Sequence, residues 1–588
     1  MTSFNKAIVV FLSFLLNFHF SFGANAPPSW AHETLKTMSS DEKIGQLFMV
    51  AGYVDPDFAQ KEIENRDIIQ EIDRYITDYC IGGIAYVGPS ESRKQVLLTN
   101  HYQNISKRPL LIAQDLEWGL AMRLGDCMQF PKNITLGAVD DKSLIYELGK
   151  EIGRQAKLIG VHMNLSPVLD VNTEPENPVI NIRSFGSSPE QVAAKGVAMI
   201  QGLQDSGIIA SAKHFPGLGD IKTDPHLALP YNRHNKKRLQ DVELYPFAQA
   251  IKAGVLSIQT EHLLIPSLEP DPQIPSSLSS RVIKGILKRE LGFEWLALSG
   301  ALRMKALTHY FSDEAITLNA FLAGNDMLLM PQDFPRAYHT LKRALADGKI
   351  SEKELDEKVL KILKLKEKVN LHRQCTVEVP SPSELHSPTA KKLKTNLYKK
   401  AVALTRNRQH LLPLSLDETA SIAYIQLGDP SSNECLDKLK QAFTVDTFHF
   451  SSLHDNKEEE TKLLEKIADY ALLILAVHPA DPRRIVEIRL LNSQRQKKEV
   501  EHFRVHGISA PFVHLVNALQ PYQHKAIVAF FGNPFGEHFF DDYSTLLMAY
   551  EDVADTQHSA AEILLNHIFL SQSSSASSPV PKKINALR

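Results

Sequence analysis

Short apolar runs alternate with amphipathic stretches from residue 45 to residue 331, and this alternation limits the possible folds more than any other feature. Clean polar–apolar alternation is missing from the runs, as expected of parallel strands that are covered on both faces. Helical patterns such as 143–160 and 188–207 lie between them. The pattern therefore predicts an α/β fold built as a (β/α)8 barrel of the TIM type, with a doubly wound parallel sheet as the alternative. The eight runs are GQLFMVAG, IGGIAYVG, RPLLIAQD, VHMNLSPVLDV, GIIASAKHF, GVLSIQTEHLLIP, FEWLALSGAL and AGNDMLLMP.

A second, smaller α/β region follows the predicted barrel, which we place at residues 27–373. Residues 374–395 are punctuated by proline and serine, a composition typical of a linker. Residues 396–570 predict an α/β sandwich domain, and residues 571–588 form a low-complexity tail that we expect to be disordered. The candidate strands of the second domain are SIAYIQLG, VDTFHF, ALLILAV, PFVHLVN, AIVAFFG and TLLMAY.

The first 26 residues predict a secretory signal peptide, because an early lysine precedes an apolar run and then small residues. Cleavage is expected after Gly23 or Ala26, and a retained membrane anchor is the alternative. Export would place the protein in the periplasm or cell envelope. No segment after residue 26 is long and apolar enough to predict a membrane span in the mature chain.

The charge and cysteine content of the chain exclude several classes of protein. Sixty-five basic and 68 acidic residues give a net charge of −3, which predicts no nucleic-acid partner. The four cysteines are too few and too scattered for a disulfide framework. Free thiols are expected, with one disulfide as the alternative.

Polar side chains cluster where several of the predicted strands end. In a (β/α)8 barrel the active site is built from residues at the carboxyl ends of the strands. These positions therefore predict a site at one mouth of the barrel. The residues are Asp115, Glu117, Asp170, Asn172, Lys213, His214, Glu261 and His262.

Motifs from MSSDEKIGQLFMV through AKHFPGLGD and DPH to AGNDMLLMP run in order along most of the chain. They resemble the bacterial β-N-acetylglucosaminidases of glycoside hydrolase family 3. TRNRQHLLPL and FFGNPF…AYED resemble the sandwich domain of its two-domain members. The resemblance implies hydrolysis or binding of N-acetylglucosamine-containing glycans such as peptidoglycan fragments (muropeptides), with neither metal nor cofactor. A β-glucosidase of the same family is less consistent with the Asp-x-His motif. The motifs are MSSDEKIGQLFMV, PLLIAQDLEWG, NLSPVLDVN, RSFGSSPEQV, AKHFPGLGD, DPH and AGNDMLLMP.

The resemblance also implies roles for individual residues. A sugar-binding role is implied for Asp115, Arg123, Arg183, Lys213 and His214. Asp224 and His226 would form the acid/base dyad, in which the imidazole donates a proton to the leaving oxygen and the carboxylate orients it.

Four positions depart from the family pattern. Gly300 stands at the nucleophile position and offers no side chain for a covalent intermediate. Trp118 replaces a glycine and adds bulk, Pro225 stiffens the DPH loop, and Leu218 replaces a polar residue. Two interpretations follow: a glycosidase with impaired turnover, in which Gly300→Asp would restore some activity if Trp118 leaves room, or an inactive sugar-binding or structural descendant.

Overall fold

The computed structural model describes residues 29–55, 68–451, 457–480 and 506–570. The predicted signal peptide and the predicted tail lie outside these residues. Across the described ranges, no helix has the length and apolar character that crossing a membrane requires.

The first domain is a parallel barrel, as predicted. Its strands pair in the order β7-β6-β5-β4-β3-β2-β1-β8, and a parallel bridge between Leu298 and Met327 joins the two ends. Seven of these strands lie within the predicted runs, and β1 extends one residue beyond its run. The strands are β1 Phe48–Tyr53, β2 Gly83–Val87, β3 Leu111–Gln114, β4 Met163–Asn164, β5 Ile209–Phe215, β6 Ser257–Thr260, β7 Leu296–Leu298 and β8 Leu328–Leu329.

Helices cover the outside of this barrel, and local sequence explains where the longest begin. Asp141 caps α6 and Ser188 caps α7, in both cases by accepting a hydrogen bond from a backbone N–H of the first turn. The α-helices are α1 Trp30–Lys36, α2 Ser40–Gln46, α3 Ile68–Tyr79, α4 Ser92–Ile105, α5 Asn133–Gly137, α6 Lys142–Leu158, α7 Pro189–Asp205, α8 Lys236–Asp241, α9 Tyr245–Lys252, α10 Lys305–Thr308, α11 Asp313–Ala323, α12 Phe334–Ala346 and α13 Glu352–Lys368. A π-helix spans Arg281–Glu290, and 3₁₀ turns span Leu120–Met122, Asn181–Arg183 and Ser276–Leu278.

The second domain is a sandwich of helices around a mixed sheet, in the order β12-β11-β13-β14-β15-β9. Only β9 of this sheet is antiparallel to its neighbour, and β10 pairs with β16 separately. Alternate residues of β11 point into different apolar cores, with Ile422 on one face and Ala423 on the other. The strands are β9 Ala403–Asn407, β10 Leu414–Leu416, β11 Ser421–Leu427, β12 Thr444–Phe450, β13 Leu472–Val477, β14 Ala526–Phe530, β15 Thr545–Met548 and β16 Ile568–Leu570.

One helix of the second half corrects a sequence prediction. PFVHLVN, predicted as a strand, lies in a helix that buries Phe512, Leu515, Val516 and Leu519, a spacing of three and four residues that fits a helix face. Residues 374–395, placed as a linker from the sequence, include helical segments. The helices are α14 Pro382–Leu385, α15 Pro388–Ala401, α16 Glu434–Ala442, α17 Lys457–Lys466, α18 Ala510–Leu519 and α19 Ala554–His567, with 3₁₀ turns at Ile467–Asp469, Gln520–Lys525 and Pro534–Phe540.

The cysteines are free thiols. Cys80 and Cys435 are buried, and Cys127 and Cys375 are partly exposed. The structure therefore agrees with free thiols and not with the alternative of one disulfide.

Candidate active site

Lys213, in β5, bridges the two acidic residues that follow β3. Its Nζ lies 2.5 Å from Asp115 Oδ1 and 3.0 Å from Glu117 Oε1. The lysine side chain is 3% exposed and that of Glu117 is fully buried, whereas that of Asp115 is 21% exposed. Glu117 and Lys213 therefore form a floor, and Asp115 lies nearer the opening of the barrel.

Two arginines complete the pairing of these carboxylates. Arg123 Nη2 donates to Asp115 Oδ2 at 2.6 Å, and its buried Nε has no hydrogen-bond partner among the described residues. Arg183 binds Glu117 through Nε, at 3.0 Å from Oε2, and through Nη2, at 2.7 Å from Oε1. Arg183 also donates to the Val179 carbonyl oxygen, so most of its donors are used within the protein, whereas Arg123 keeps donors for a ligand.

His214 is held in one orientation between Asp170 and Arg183. Its Nδ1 lies 2.7 Å from Asp170 Oδ2, and its Nε2 lies 3.3 Å from Arg183 Nη2. Because an arginine only donates, Nε2 accepts there, and Nδ1 carries the proton that Asp170 accepts. Asp170 also accepts from the backbone N–H of Leu218 at 2.6 Å, which fixes the turn after β5. We call Asp115, Glu117, Arg123, Asp170, Arg183, Lys213 and His214 the charged network.

Opposite charges keep Asp115 and Glu117 ionised despite their burial. Burial alone would raise the pKa of Asp115, but the charges of Lys213 and Arg123 outweigh it and hold that pKa well below its usual range. Burial likewise opposes ionisation of Glu117, yet Arg183 and Lys213 lower its pKa to about 2. The network therefore presents fixed charges and hydrogen-bond donors at neutral pH.

Asp224 and His226 form the predicted dyad on the loop after β5. Asp224 Oδ1 lies 2.8 Å from His226 Nδ1 and also accepts from the His226 backbone N–H at 2.8 Å. The hydrogen bond to Asp224 raises the pKa of His226, against the effect of its partial burial. The imidazole is 65% exposed, so its Nε2 is available to an incoming ligand.

The base of this loop is held by a second acidic–histidine cluster. Asp220 contacts His234, and Glu243 pairs with Arg238 at 2.9 Å. The ligand atoms of Asp220, His234 and Glu243 lie within 4.8 Å of one another, but the ion pairs already compensate their charges. Above this base, the loop contacts the start of α10, where the backbone N–H of Ala306 donates to the carbonyl oxygen of residue 225 at 3.3 Å.

Gly300, the nucleophile position by resemblance, follows β7 in a crowded place. A Cβ added there would lie 2.9 Å from the Thr260 carbonyl oxygen and 3.0 Å from the ring of His262. That imidazole is fully buried and fixed by Ser277 Oγ at 2.6 Å and the Ala301 carbonyl oxygen at 3.0 Å. The structure therefore argues against Gly300→Asp as a simple restoration of activity.

Glu261 lies at the end of the neighbouring strand, β6, and is buried. It contributes to the raised pKa of His226, after the larger effect of Asp224. We call Asp224, His226, Glu261 and Gly300 the reaction side of the site.

The second domain contacts the barrel next to this mouth. Glu551 accepts from the Lys132 backbone N–H at 2.8 Å and from Thr135 Oγ1 at 2.6 Å, at the start of α5. Asn133 of α5 donates to the Arg183 carbonyl oxygen at 2.7 Å. The sandwich domain thus holds the segment that presents Arg183.

The structure joins the five predicted sugar-binding residues into one network, in which Glu117 links Lys213 to Arg183. It also brings the two predicted dyad residues into contact on the adjacent loop. Sequence reasoning did not assign roles to Glu117, Asp170 and Glu261, although their place at strand ends was a signal. Glu551 had no local signal, because its contacts lie more than 400 residues away in the chain.

Comparisons with known proteins agree with this architecture. The family model described as "Glycosyl hydrolase family 3 N terminal domain" matches residues 39–365, more than half of the chain. Beta-hexosaminidase A of Pseudoalteromonas piscicida is 28% identical over 472 residues, covering 75% of this chain and 77% of that protein. A beta-hexosaminidase of Nitrosomonas eutropha is 32% identical over 275 residues, covering 45% of this chain and 78% of that protein.

A solved structure extends the likeness to both domains. The glycoside hydrolase family 3 beta-N-acetylglucosaminidase from Paenibacillus sp. str. FPU-7 is 28% identical, with a TM-score of 0.70, and the match covers 90% of this chain and 97% of that one. The family model matches more than half of the chain, and the solved structure shares both of its domains. The chain therefore belongs to glycoside hydrolase family 3.

Proposed function

We propose that the protein is a glycosidase that hydrolyses β-linked N-acetylglucosamine from glycans. The observation that carries the proposal is the pairing of Asp224 with His226 next to the charged network at one barrel mouth. Relatives named beta-hexosaminidase and a beta-N-acetylglucosaminidase structure support the choice of sugar.

In this proposal the charged network binds the sugar. Asp115 accepts hydrogen bonds from sugar hydroxyls, and the unused N–H groups of Arg123 donate to hydroxyl or acetamido oxygens. Lys213, His214 and Arg183 mainly hold these groups in place, since their polar atoms are engaged with protein carboxylates. A rigid, charged floor of this kind orients the ring without reorganising on binding.

The dyad supplies the proton for the leaving group. Asp224 accepts a hydrogen bond from Nδ1–H of His226, which leaves the Nε2–H of the imidazole directed at the ligand. The Nε2 proton passes to the glycosidic oxygen as the bond between that oxygen and the sugar breaks. Asp224 stabilises the imidazolium before transfer, which is consistent with the raised pKa of His226. Such general acid assistance contributes about 10²–10⁴-fold in rate.

We further propose peptidoglycan fragments as the natural substrate. The predicted signal peptide would export the protein to the periplasm or cell envelope, where N-acetylglucosamine-containing muropeptides occur. The substrate assignment and the location are both proposals from the sequence.

A second candidate function is sugar binding without turnover, which Gly300 favours. The nucleophile position has no side chain, and the space that a side chain would enter is filled by His262. A protein of this kind would keep the charged network and lose only the chemistry.

One pair of measurements separates these candidates. Purified protein is assayed for release of an aryl alcohol from an aryl β-N-acetylglucosaminide, and N-acetylglucosamine binding is measured by calorimetry. We expect both turnover and binding, with Asp115→Ala weakening binding by about 1–3 kcal/mol. Glu151→Gln, on the outer helix α6, is the control and should leave both unchanged. Binding without turnover would support the second candidate. The absence of both binding and turnover would contradict both candidates.

A further inference from the structure

Among the described residues at the mouth of the barrel, one carboxylate lacks a lysine, an arginine or a hydrogen-bonded histidine as its partner. Asp115 pairs with Lys213 and Arg123, and Glu117 pairs with Arg183 and Lys213. The two remaining acids each bind a histidine. Asp224 of the dyad binds His226, and Asp170 of the charged network binds His214.

Glu261 differs from all four of these acids. Among the described residues, its nearest charged or titratable neighbour is His262, whose Nε2 lies 3.9 Å from Glu261 Oε1 and already contacts the Ala301 carbonyl oxygen. Oε1 accepts only the backbone N–H of His262, at 2.8 Å, and no described residue donates to Oε2. The carboxylate is therefore uncompensated, although its side chain is only 5% exposed.

Glu261 and Gly300 follow neighbouring strands. The last paired residues of β6 and β7 are Gln259 and Leu298. Continuing this register two residues beyond both strands brings Glu261 level with Gly300, whose nearest neighbours are Thr260 and His262. Neighbouring strands lie about 4.8 Å apart, and the extra methylene of glutamate relative to aspartate helps to span that offset. The backbone at this point is fixed, because the Glu261 N–H donates to the Phe215 carbonyl oxygen at 2.8 Å and Ser276 Oγ donates to the Glu261 carbonyl oxygen at 2.5 Å.

We propose that Glu261 is the catalytic nucleophile of this protein, in place of a side chain at position 300. The inference rests on the proposed glycosidase function. Glu261 follows β6, which neighbours β5, the dyad lies on the loop after β5, and the charge of Glu261 acts on the imidazole of His226. Two groups placed on opposite sides of a glycosidic bond are what double displacement requires.

The reaction proceeds in two balanced steps. A carboxylate oxygen of Glu261 forms a bond to the anomeric carbon while the bond to the leaving oxygen breaks, and that oxygen takes the proton from His226 Nε2. Water then attacks the anomeric carbon and gives a proton to His226, and the ester bond breaks to return Glu261 as a carboxylate. The sugar is released with its original β configuration.

The first test traps the intermediate on the wild-type protein. The protein is incubated with a ring-fluorinated N-acetylglucosaminyl fluoride, digested with trypsin and analysed by mass spectrometry. Glu261 lies in peptide 253–281, Ser299 and Gly300 lie in 290–303, and Asp224 lies in 223–233, so the labelled peptide identifies the nucleophile. Label on Glu261 supports the proposal, and label in either other peptide overturns it.

The second test removes the carboxylate. Glu261→Gln should lower kcat for an aryl β-N-acetylglucosaminide by about 10³-fold or more, the scale of losing a nucleophile. In Glu261→Ala, sodium azide should recover part of the rate by displacing the aryloxide, giving the α-glycosyl azide. Glu151→Gln is the matched control on the outer face of the barrel. Thermal unfolding checks that each variant is folded. If a variant does not fold, the trapping test on the wild-type protein decides whether Glu261 is the nucleophile.

The outcomes separate failure of this inference from failure of the proposed function. Wild-type turnover that Glu261→Gln leaves intact overturns the nucleophile assignment while the glycosidase function stands. Release of the α-configured sugar by wild type also overturns it, since a single displacement forms no covalent intermediate. Sugar binding without wild-type turnover overturns both the inference and the glycosidase function.

Discussion

The two halves of this site are built in opposite ways. The charged network sets two carboxylates, Asp115 and Glu117, against three permanent cations in direct contact, and the side chains of Glu117 and Lys213 are almost completely removed from solvent. The reaction side has an exposed imidazole, a carboxylate without a cation and a glycine where a nucleophile is expected. Charge is thus compensated where we propose that the sugar binds and left uncompensated where bonds would change.

This difference has a physical basis. A group that only orients a ligand works best when its own partners hold it still, so burial and ion pairing are compatible with its role. A proton donor must release its proton and a nucleophile must use its lone pair, and strong internal pairing would oppose either step. Mutations should therefore affect stability through the charged network and turnover through the reaction side.

Apart from the substitutions of Glu261, the largest effect on rate is expected from His226→Ala. Hydrolysis of a substrate with a poor leaving group, such as a chitobiose unit, should fall by about 10²–10⁴-fold, because that oxygen needs a proton to depart. An activated aryl glycoside should lose much less. Steady-state kinetics on both substrates measures the ratio.

A matched control exists for this variant. His101 forms a similar 2.8 Å pair with Asp73 on the outer helices. His101→Ala should therefore leave the rate of hydrolysis of both substrates unchanged. Equal losses on the two substrates in His226→Ala would remove His226 from the acid role.

The largest effect on stability is expected from Lys213→Met. The substitution leaves Glu117 and Asp115 each short of one cation in a buried place, and breaking a buried pair costs about 3–5 kcal/mol. Urea unfolding measures the change in the free energy of unfolding. Lys222→Met, at a 73% exposed lysine paired with Glu174, should cost less than about 1 kcal/mol. Similar values for the two variants would mean that the network is not a stabilising unit.

A smaller loss of stability is expected from Gly300→Asp and Gly300→Ala alike. Either Cβ would meet the Thr260 carbonyl oxygen at 2.9 Å and the fixed ring of His262 at 3.0 Å, a crowding that costs about 1–3 kcal/mol. We expect no gain in kcat/KM from the added carboxylate, as measured on an aryl β-N-acetylglucosaminide. A rate for Gly300→Asp well above wild type would show that position 300 still accepts a nucleophile and would weaken the case for Glu261.

The comparison of the two halves also explains how far the sequence could predict the site. The residues of the charged network lie at or near strand ends within recognisable motifs, and strand ends of a barrel meet at one mouth. The position of Glu261 level with Gly300 depends on the register of β6 and β7, which a single sequence does not specify. The apolar segment 511–517 was misassigned because a short apolar run fits either a strand or a buried helix.

The smallest effect that we predict is a shift in pH dependence on Asp224→Asn. The hydrogen bond to Asp224 is the main cause of the raised pKa of His226, so a neutral amide should lower that pKa. His226 acts as an acid only when protonated, and the alkaline limb of the kcat/KM profile should therefore move to lower pH. The pair's own contribution to stability is present below the unfolded pKa of about 6.5 and is lost as pH rises through the folded value.

Because His226 is 65% exposed, this stability contribution is at most about 1 kcal/mol, so the effect is better read from the profile than from unfolding. Asp73→Asn, at the control pair with His101, should leave the profile where it is. If Asp224→Asn moves the limb and keeps kcat/KM at low pH close to wild type, Asp224 acts through the imidazole's proton affinity. If the limb stays in place, the group that titrates on the reaction side is not His226, and the proton donor has to be sought elsewhere in the mouth.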